Sequence, residues 1–517
     1  QAKLRSISMG DAVSKDTYTP KQRTRFRERL NAELEVFDKH LQDAEFINQG
    51  TIGLELEMNL VGDDMQPKRC NEGVLEKLEE THPGEYQSEI GSYNVEMNHP
   101  PLAITGRGLE QLQEGLDERL RAVQKAAKQL GSHAVMIGTL PTLTTDFLSD
   151  PAWITNENRY KALNNAILES RGELVRIELE GALPGRVLGT VDTYRHDFED
   201  IAPESACTSM QLHLQVAPNL FANAWNASQA IAGVQAALSA NSPLFVGHKL
   251  WHESRIPVFQ QAIDTRTAEL VNQGVRPRVW FGERWITSVF DLFEENGRYF
   301  SPLLPEDRLE AGTPIMSGDS PGLHYMNLHN GTIWRWNRPI YDPNLERSHI
   351  RVENRLLPAG PTTADIVADA AFYYGLVKFL GTQNRPVWSR LSFEDAHSNF
   401  LAGAREGLRA SMRWPRVGTV PVRQLITEHL LEQAREGLEL LDVDSELIET
   451  YLGIIEGRAR SGQNGATWQL DTVNRLAPNS EPDSAERAEA LATMMQRYIA
   501  HQTSGQPVHT WSVEGRD

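Results

Sequence analysis

The sequence predicts an α+β protein built on a curved, mainly antiparallel sheet, and three observations carry that expectation. GLELEMNL at 53–60, SMQLHLQV at 209–216 and IRVENRLL at 350–357 each alternate apolar with ionisable or amide residues. A period of two is that of a half-buried strand. Between these segments run stretches of helical period, and beyond about residue 390 strand patterns almost vanish in favour of amphipathic helices.

Taken in order, residues 1–19 read as a polar tail. Residues 20–48 place Leu30, Leu34, Phe37 and Leu41 on one helical face and lead into the first strand. A short helix at 70–80 precedes Glu89–Asn98, where a turn at Gly91-Ser92 is followed by strand alternation that Pro100-Pro101 should end. A helix over about 106–130 carries Leu109, Leu112, Leu116, Leu120 and Val123, and HAVMIGTLP after it reads as a buried strand. Residues 173–216 read as strand, hairpin or loop, and strand. A helix rich in small residues covers 226–240, and one opened by Thr362-Thr363 and closed by Gly381 covers 362–381. The stretches 394–412, 421–459 and 482–502 read as helices. The division expected is a mixed α+β region at 20–390 and a helical C-terminal region at 391–517 packed on it.

Composition narrows the function classes. The chain of 517 residues is 40% apolar and 23% charged, ordinary for a globular protein. Its net charge of -19, from 70 acidic and 51 basic residues, argues against binding nucleic acid by phosphate neutralisation. No apolar run is long enough to span a membrane. Two cysteines, Cys70 and Cys207, are too few for a disulfide framework or a four-cysteine zinc site. With a polar N-terminus lacking a signal-peptide core, they point to the cytoplasm.

The chemistry lies on the polar faces of the strands. Leu54, Leu56 and Met58 point one way, Glu55 and Glu57 the other, about 6.6 Å apart. Such a pair can equally face water, and the second IELE at 177–180 shows how common the pattern is; Glu178 and Glu180 are assigned to solvent or a hairpin. The first pair has other company: Glu89 and Glu96 flanking a turn, His213 between Gln211 and Gln215, and Glu353 between Arg351 and Arg355. Carboxylates converging at about 5 Å repel by about 3 kcal/mol per pair at an effective dielectric near 20. Divalent cations relieve that repulsion, and oxygen ligands with one imidazole suit Mg²⁺ or Mn²⁺. Nearby arginines serve as forks for phosphate or carboxylate.

GLELE, EIGSYNVEMNHPP, SMQLHLQV, NSPLF followed by HESR, and RVENRLLPAGPT stand in one order over about 50–380. This set resembles glutamate-cysteine ligase family 2, carboxylate-amine ligases of the glutamine synthetase superfamily. The resemblance implies a glutamine synthetase-like catalytic region whose sheet lines the active site, with helices on its outer face. It implies one metal site of Glu57, Glu89 and Glu96 and another of Glu55, His213 and Glu353, holding two or three Mg²⁺ or Mn²⁺ ions. Arg355, catalytic with Glu353, would face the substrate carboxylate or transferred phosphoryl group. Arg335, Arg338 and Arg351 would contact the phosphates of ATP, and Arg255 and Gln211 the amino-acid substrate. The implied activity is ATP-dependent amide formation between a carboxylate, glutamate first, and an amine through an acyl phosphate. A phosphotransferase of the same fold and a catalytically silent nucleotide-binding relative are the alternatives, and the assembly state stays open. Two departures stand out. Leu56 occupies the middle of GLELE where many relatives are acidic, and 173–205, including RIELEG and HDFEDIAPES, has no evident counterpart. Packing is the expectation for Trp280, Trp285, Trp334 and Trp336, ahead of stacking on adenine.

Overall fold

The computed structural model describes residues 18–182, 192–306, 320–343 and 347–514. All but the last two residues of the N-terminal tail, and part of the 173–205 stretch, lie outside them. Seven strands form the main sheet: β1 (Thr51–Val61), β2 (Tyr86–Ser88), β3 (Asn94–Ala103), β4 (His133–Val135), β5 (Ser209–Val216), β6 (Asn337–Asp342) and β7 (His349–Pro358). Their order is β6-β7-β5-β1-β3-β2, and β4 pairs with β1 beyond the end of β5. Every pairing in it is antiparallel. The three alternating segments are therefore neighbours, β7 beside β5 beside β1.

One face of the sheet is core. Ile52, Leu54, Leu56 and Met58 are buried, each worth about 1.5–3 kcal/mol against exposure. Behind them pack two largely buried helices, Pro218–Ser239 and Thr363–Gly381. Small residues let these helices approach closely, and the Tyr374 hydroxyl donates to the backbone oxygen of His213 at 3.0 Å. The first of them begins eight residues before 226, because Pro218 occupies the first turn, where its missing N–H costs nothing. The N-terminal helix Pro20–Asp43 opens on a Thr19–Gln22 capping box and buries Phe26, Leu30, Leu34 and Phe37.

The C-terminal helices share this core. Arg458, on helix Ser445–Ser461, is 1% exposed and reaches helix Thr363–Gly381 at Asp369 (2.7 Å) and Asp365 (3.0 Å). A Cβ on Gly437, in helix Leu431–Glu439, would fall 1.8 Å from the Gly375 oxygen, so that helix and Thr363–Gly381 cross in direct backbone contact and only glycine fits.

The structure corrects several expected boundaries. Strand β3 runs through Pro100-Pro101 to Ala103, because both prolines stand opposite Gly53 in a bulge where no ladder donor is required. Only His133–Val135 of HAVMIGTLP is strand. Its next amides turn to other partners, Met136 N to Gln502 Oε1 and Gly138 N to Asn241 O. RWPRVG belongs to a hairpin, Ser411–Trp414 with Gly418–Pro421, and the helix expected over 421–459 breaks between Glu439 and Ser445. Both acids of the second IELE, Glu178 and Glu180, sit on the exposed face of the hairpin Val175–Glu180 with Thr193–Phe198, while Ile177 and Leu179 are buried.

Candidate active site

Directly opposed residues of paired strands share a face, so register alone assembles the polar wall. Glu57 stands opposite Glu96, and Glu96 opposite Gln87. Glu353 stands between His213 and Arg338. His213 opposes Gly53 and is therefore diagonal to Glu55, whose Oε1 lies 3.2 Å from Nε2. Between Asn354 and Leu357 the register slips, setting Arg355 and Leu356 against Gln211 alone. At this bulge Arg355 Nη1 donates to Gln211 Oε1 and, at 3.1 Å, to Glu353 Oε2.

Over this wall lies a cavity of about 240 Å³, closed on other sides by helix Asn158–Arg171, the turn Ala202–Ser205, and Trp334 and Trp336. Both tryptophans are buried, while Trp285 is tied to the Leu391 oxygen through its indole N–H. Glu89 enters from the loop between β2 and β3, pinned where Thr155 Oγ donates to its backbone oxygen.

Two groups each bring three ligand atoms within 4.8 Å of one another: Glu55 with His213 and Glu353, and Glu57 with Glu89 and Glu96. Their electrostatics differ. Desolvation pushes the Glu353 carboxyl up, but Arg338, then Arg355 and His213, outweigh it and hold the group below the usual carboxylate range. Arg338 supplies a fork, Nε to Oε2 at 2.7 Å and Nη2 to Oε1 at 3.2 Å. Glu55 is likewise lowered, desolvation being overcome chiefly by His213. In the second group the counterweights, Arg355 and Arg255 acting on Glu57, are outweighed. Desolvation, then Glu55 and Glu57, pushes Glu96 up to about 8. Glu89 rises well above its usual value through desolvation, Glu96 and Glu57. Glu57 rises through desolvation despite bonds from Ser209 N (2.7 Å) and Oγ (3.1 Å).

Three clustered carboxyls, each held above its ordinary range, form a donor set suited to an oxygen-preferring divalent cation. The other group fits with one condition. Arg351 Nε donates to His213 Nδ1 at 3.0 Å, which leaves the ring proton on Nε2, facing Glu55. A cation ligated through Nε2 requires the ring proton to move to Nδ1, and Arg351, itself a donor, to withdraw from it.

The remaining predicted residues are distributed unevenly. Arg351 also reaches Asp342 at 3.2 Å. Arg255 lines the cavity and donates to the Leu356 oxygen. It is placed by a buried junction in which Glu253 accepts from Asn241 N and Ser242 Oγ, which explains the pairing of NSPLF with HESR. Arg335 lines the cavity as well, its guanidinium bonded to Glu295 (3.0 Å) and Asn296 (3.1 Å) and lying over Trp280.

Sequence reasoning missed Ser209, Arg159 and Glu204. Ser209 was legible, one step back along the alternation through Gln211 and His213. Arg159 bonds Ser88 at 3.0–3.1 Å from the start of a helix, and Glu204 sits on a four-residue turn. Neither position has a periodic signal. Desolvation and then Glu57 push Glu204 up to about 8, with Arg355 opposing.

The family model described as glutamate-cysteine ligase family 2 matches residues 51–497. No curated protein matches the chain. The chain is similar to a glutamate–cysteine ligase from Francisella tularensis solved in complex with AMP, at 11% identity and a TM-score of 0.50, over 91% of this chain and 96% of that one. It is also similar to a bifunctional glutathione synthetase from Pasteurella multocida, at 12% identity and a TM-score of 0.45, over 93% of this chain and 55% of that one. The first likeness concerns the fold alone, and the second is too distant to carry an argument.

Proposed function

Because the chain belongs to glutamate-cysteine ligase family 2, we propose that it is an ATP-dependent carboxylate-amine ligase acting through an acyl phosphate, with glutamate as the first carboxylate to test. The observation that carries this reading is the pair of three-ligand groups on one sheet face, beside Arg338 and Arg355. Phosphoryl transfer requires positioning and charge neutralisation rather than a protein nucleophile. The site supplies carboxyls, arginines and amides, and the thiol of Cys207, which burial pushes up, is unsuited to attack.

Glu57, Glu89 and Glu96 would hold one Mg²⁺ or Mn²⁺, and Glu55, His213 and Glu353 a second. Bound there, the ions supply Lewis-acid polarisation and neutralise the polyphosphate. Arg338 and Arg355 are fixed by Glu353 so that their remaining N–H groups face the cavity side of the sheet. Arg355 would steady the charge that builds on the transferred group, and Gln211, bonded to it, holds its angle. Arg255, at the same end of the wall, would take the substrate carboxylate. Arg351, once off His213, is free to meet a phosphate oxygen. Arg335, which also lines the cavity, would contact the phosphates of ATP.

The test is ADP release from Mg·ATP with glutamate and a panel of amines including cysteine, ammonia and polyamines. Release that requires both glutamate and an amine, with an amide product by mass spectrometry, is the expected result. Release with glutamate alone that yields a stable phosphorylated product would make the protein a phosphotransferase. Absence of ATP binding in the presence of Mg²⁺ would remove the reading altogether.

A further inference from the structure

We propose that Glu204 holds the attacking amine as its ammonium ion and takes the proton that the amine sheds; this rests on the ligase reading above. Glu204 lines the same cavity as Glu57, Arg255 and Arg355. Its Oε2 is shielded from solvent and has no hydrogen-bond partner among the described residues. It belongs to neither three-ligand group, so the two candidate cations leave it unsatisfied. A carboxylate without a partner in such a place is costly, and a cationic group delivered by the substrate removes the cost.

Three further arginines of the cavity are bonded to groups other than Glu204. Arg338 is forked onto Glu353, Arg351 is held by His213 and Asp342, and Arg255 bonds the Leu356 oxygen. The turn that carries Glu204 is rigid: Ile201 N donates to Asn164 Oδ1, Ala202 N to Asp200 Oδ1, and Ser205 Oγ to the Ala202 oxygen. The carboxylate is thus held in the cavity that Arg355 also lines, near enough for the Arg355 charge to act on it. An amine there stands next to the group that Arg355 steadies. In the step that follows, the ammonium first gives one proton to Glu204, which frees the nitrogen lone pair to form the C–N bond as the C–O bond to phosphate breaks. Phosphate leaves with that electron pair and carries off the second proton that the nitrogen sheds. The substrate class is therefore a primary amine or ammonia, cationic in solution, rather than a neutral or anionic nucleophile.

The test compares two nucleophiles with Mg·ATP and glutamate at neutral pH: the best amine from the panel, which is protonated, and hydroxylamine, which is uncharged. Parent, E204Q and E204D proteins are measured for kcat/KM with each. The expected result is that E204Q lowers the ratio of protonated amine to hydroxylamine by about tenfold or more, the worth of one charged hydrogen bond, with E204D between. An equal fall with both nucleophiles in both variants, or a changed Mg²⁺ requirement at constant ratio, would make Glu204 a structural or metal-site residue and overturn the proposal. Should E204Q fail to fold, an unchanged ratio in E204D overturns it alone. Silence of the parent protein with every nucleophile would instead refute the ligase reading, and this inference with it.

Discussion

Replacing Glu96 by Gln should stabilise the metal-free protein while abolishing its response to Mg²⁺. Glu96 is buried opposite Glu57, and its carboxyl is pushed from an ordinary 4.5 up to about 8 by desolvation and by Glu55 and Glu57. An acid whose folded pKa is raised contributes stability that is full below its unfolded pKa and is lost as pH rises through the folded one. The loss therefore falls between about pH 4.5 and pH 8. At pH 7 it amounts to about 3 kcal/mol, from the pH units above 4.5 at 1.36 kcal/mol each. The Coulomb figure agrees, since two carboxylates at 4.8 Å repel by about 3.5 kcal/mol at an effective dielectric of 20. For a chain of this length that is about 3 °C in Tm. Scanning calorimetry of parent and E96Q proteins in EDTA at pH 8 and pH 5, then in Mg²⁺, measures each term. E96Q should melt higher at pH 8 in EDTA, nearly together with the parent at pH 5, and should lose the Mg²⁺-dependent rise. An E96Q protein that melts lower at pH 8 in EDTA and keeps the parent's Mg²⁺ shift would refute the reasoning.

Glu353→Gln removes the carboxylate that fixes Arg338 and Arg355, so ATP turnover should fall by about a hundredfold or more with the far-ultraviolet circular dichroism retained; turnover near that of the parent takes Glu353 out of the site. Glu178→Ala, on the exposed hairpin face 3.8 Å from Arg195, should change stability by less than about 0.5 kcal/mol and leave the Mg²⁺ dependence of ADP release untouched. Arg458→Met strands the Asp365 and Asp369 carboxylates and should cost about 3–5 kcal/mol at pH 7. Desolvation already holds Asp369 at about 6, so the deficit should shrink in melts at pH 5, where protonation relieves the uncompensated charge.

Much of the wall was legible because strands have a period of two. Glu55 and Glu57, then Gln211 and His213, then Glu353 and Arg355, had to share a face wherever each strand lay. Leu56, apolar between two acids, is 0% exposed on the core side, as alternation requires. The same period misleads wherever a residue is inserted. Nothing local in Pro100-Pro101 shows that a bulge opposite Gly53 would absorb both prolines.

The sequence by itself determined the faces, that is, which side chains point together along each strand. Only the tertiary structure decided which strands are neighbours and in what register. It therefore also decided that Glu353 lies between His213 and Arg338, while Glu57 meets Glu96 with no arginine between them. Periodicity is a property of one segment, whereas register depends on loops, bulges and the helices behind the sheet. Glu204 shows the limit most clearly, for a carboxylate on a four-residue turn has no pattern of its own. Its significance comes from the cavity that the distant strands enclose.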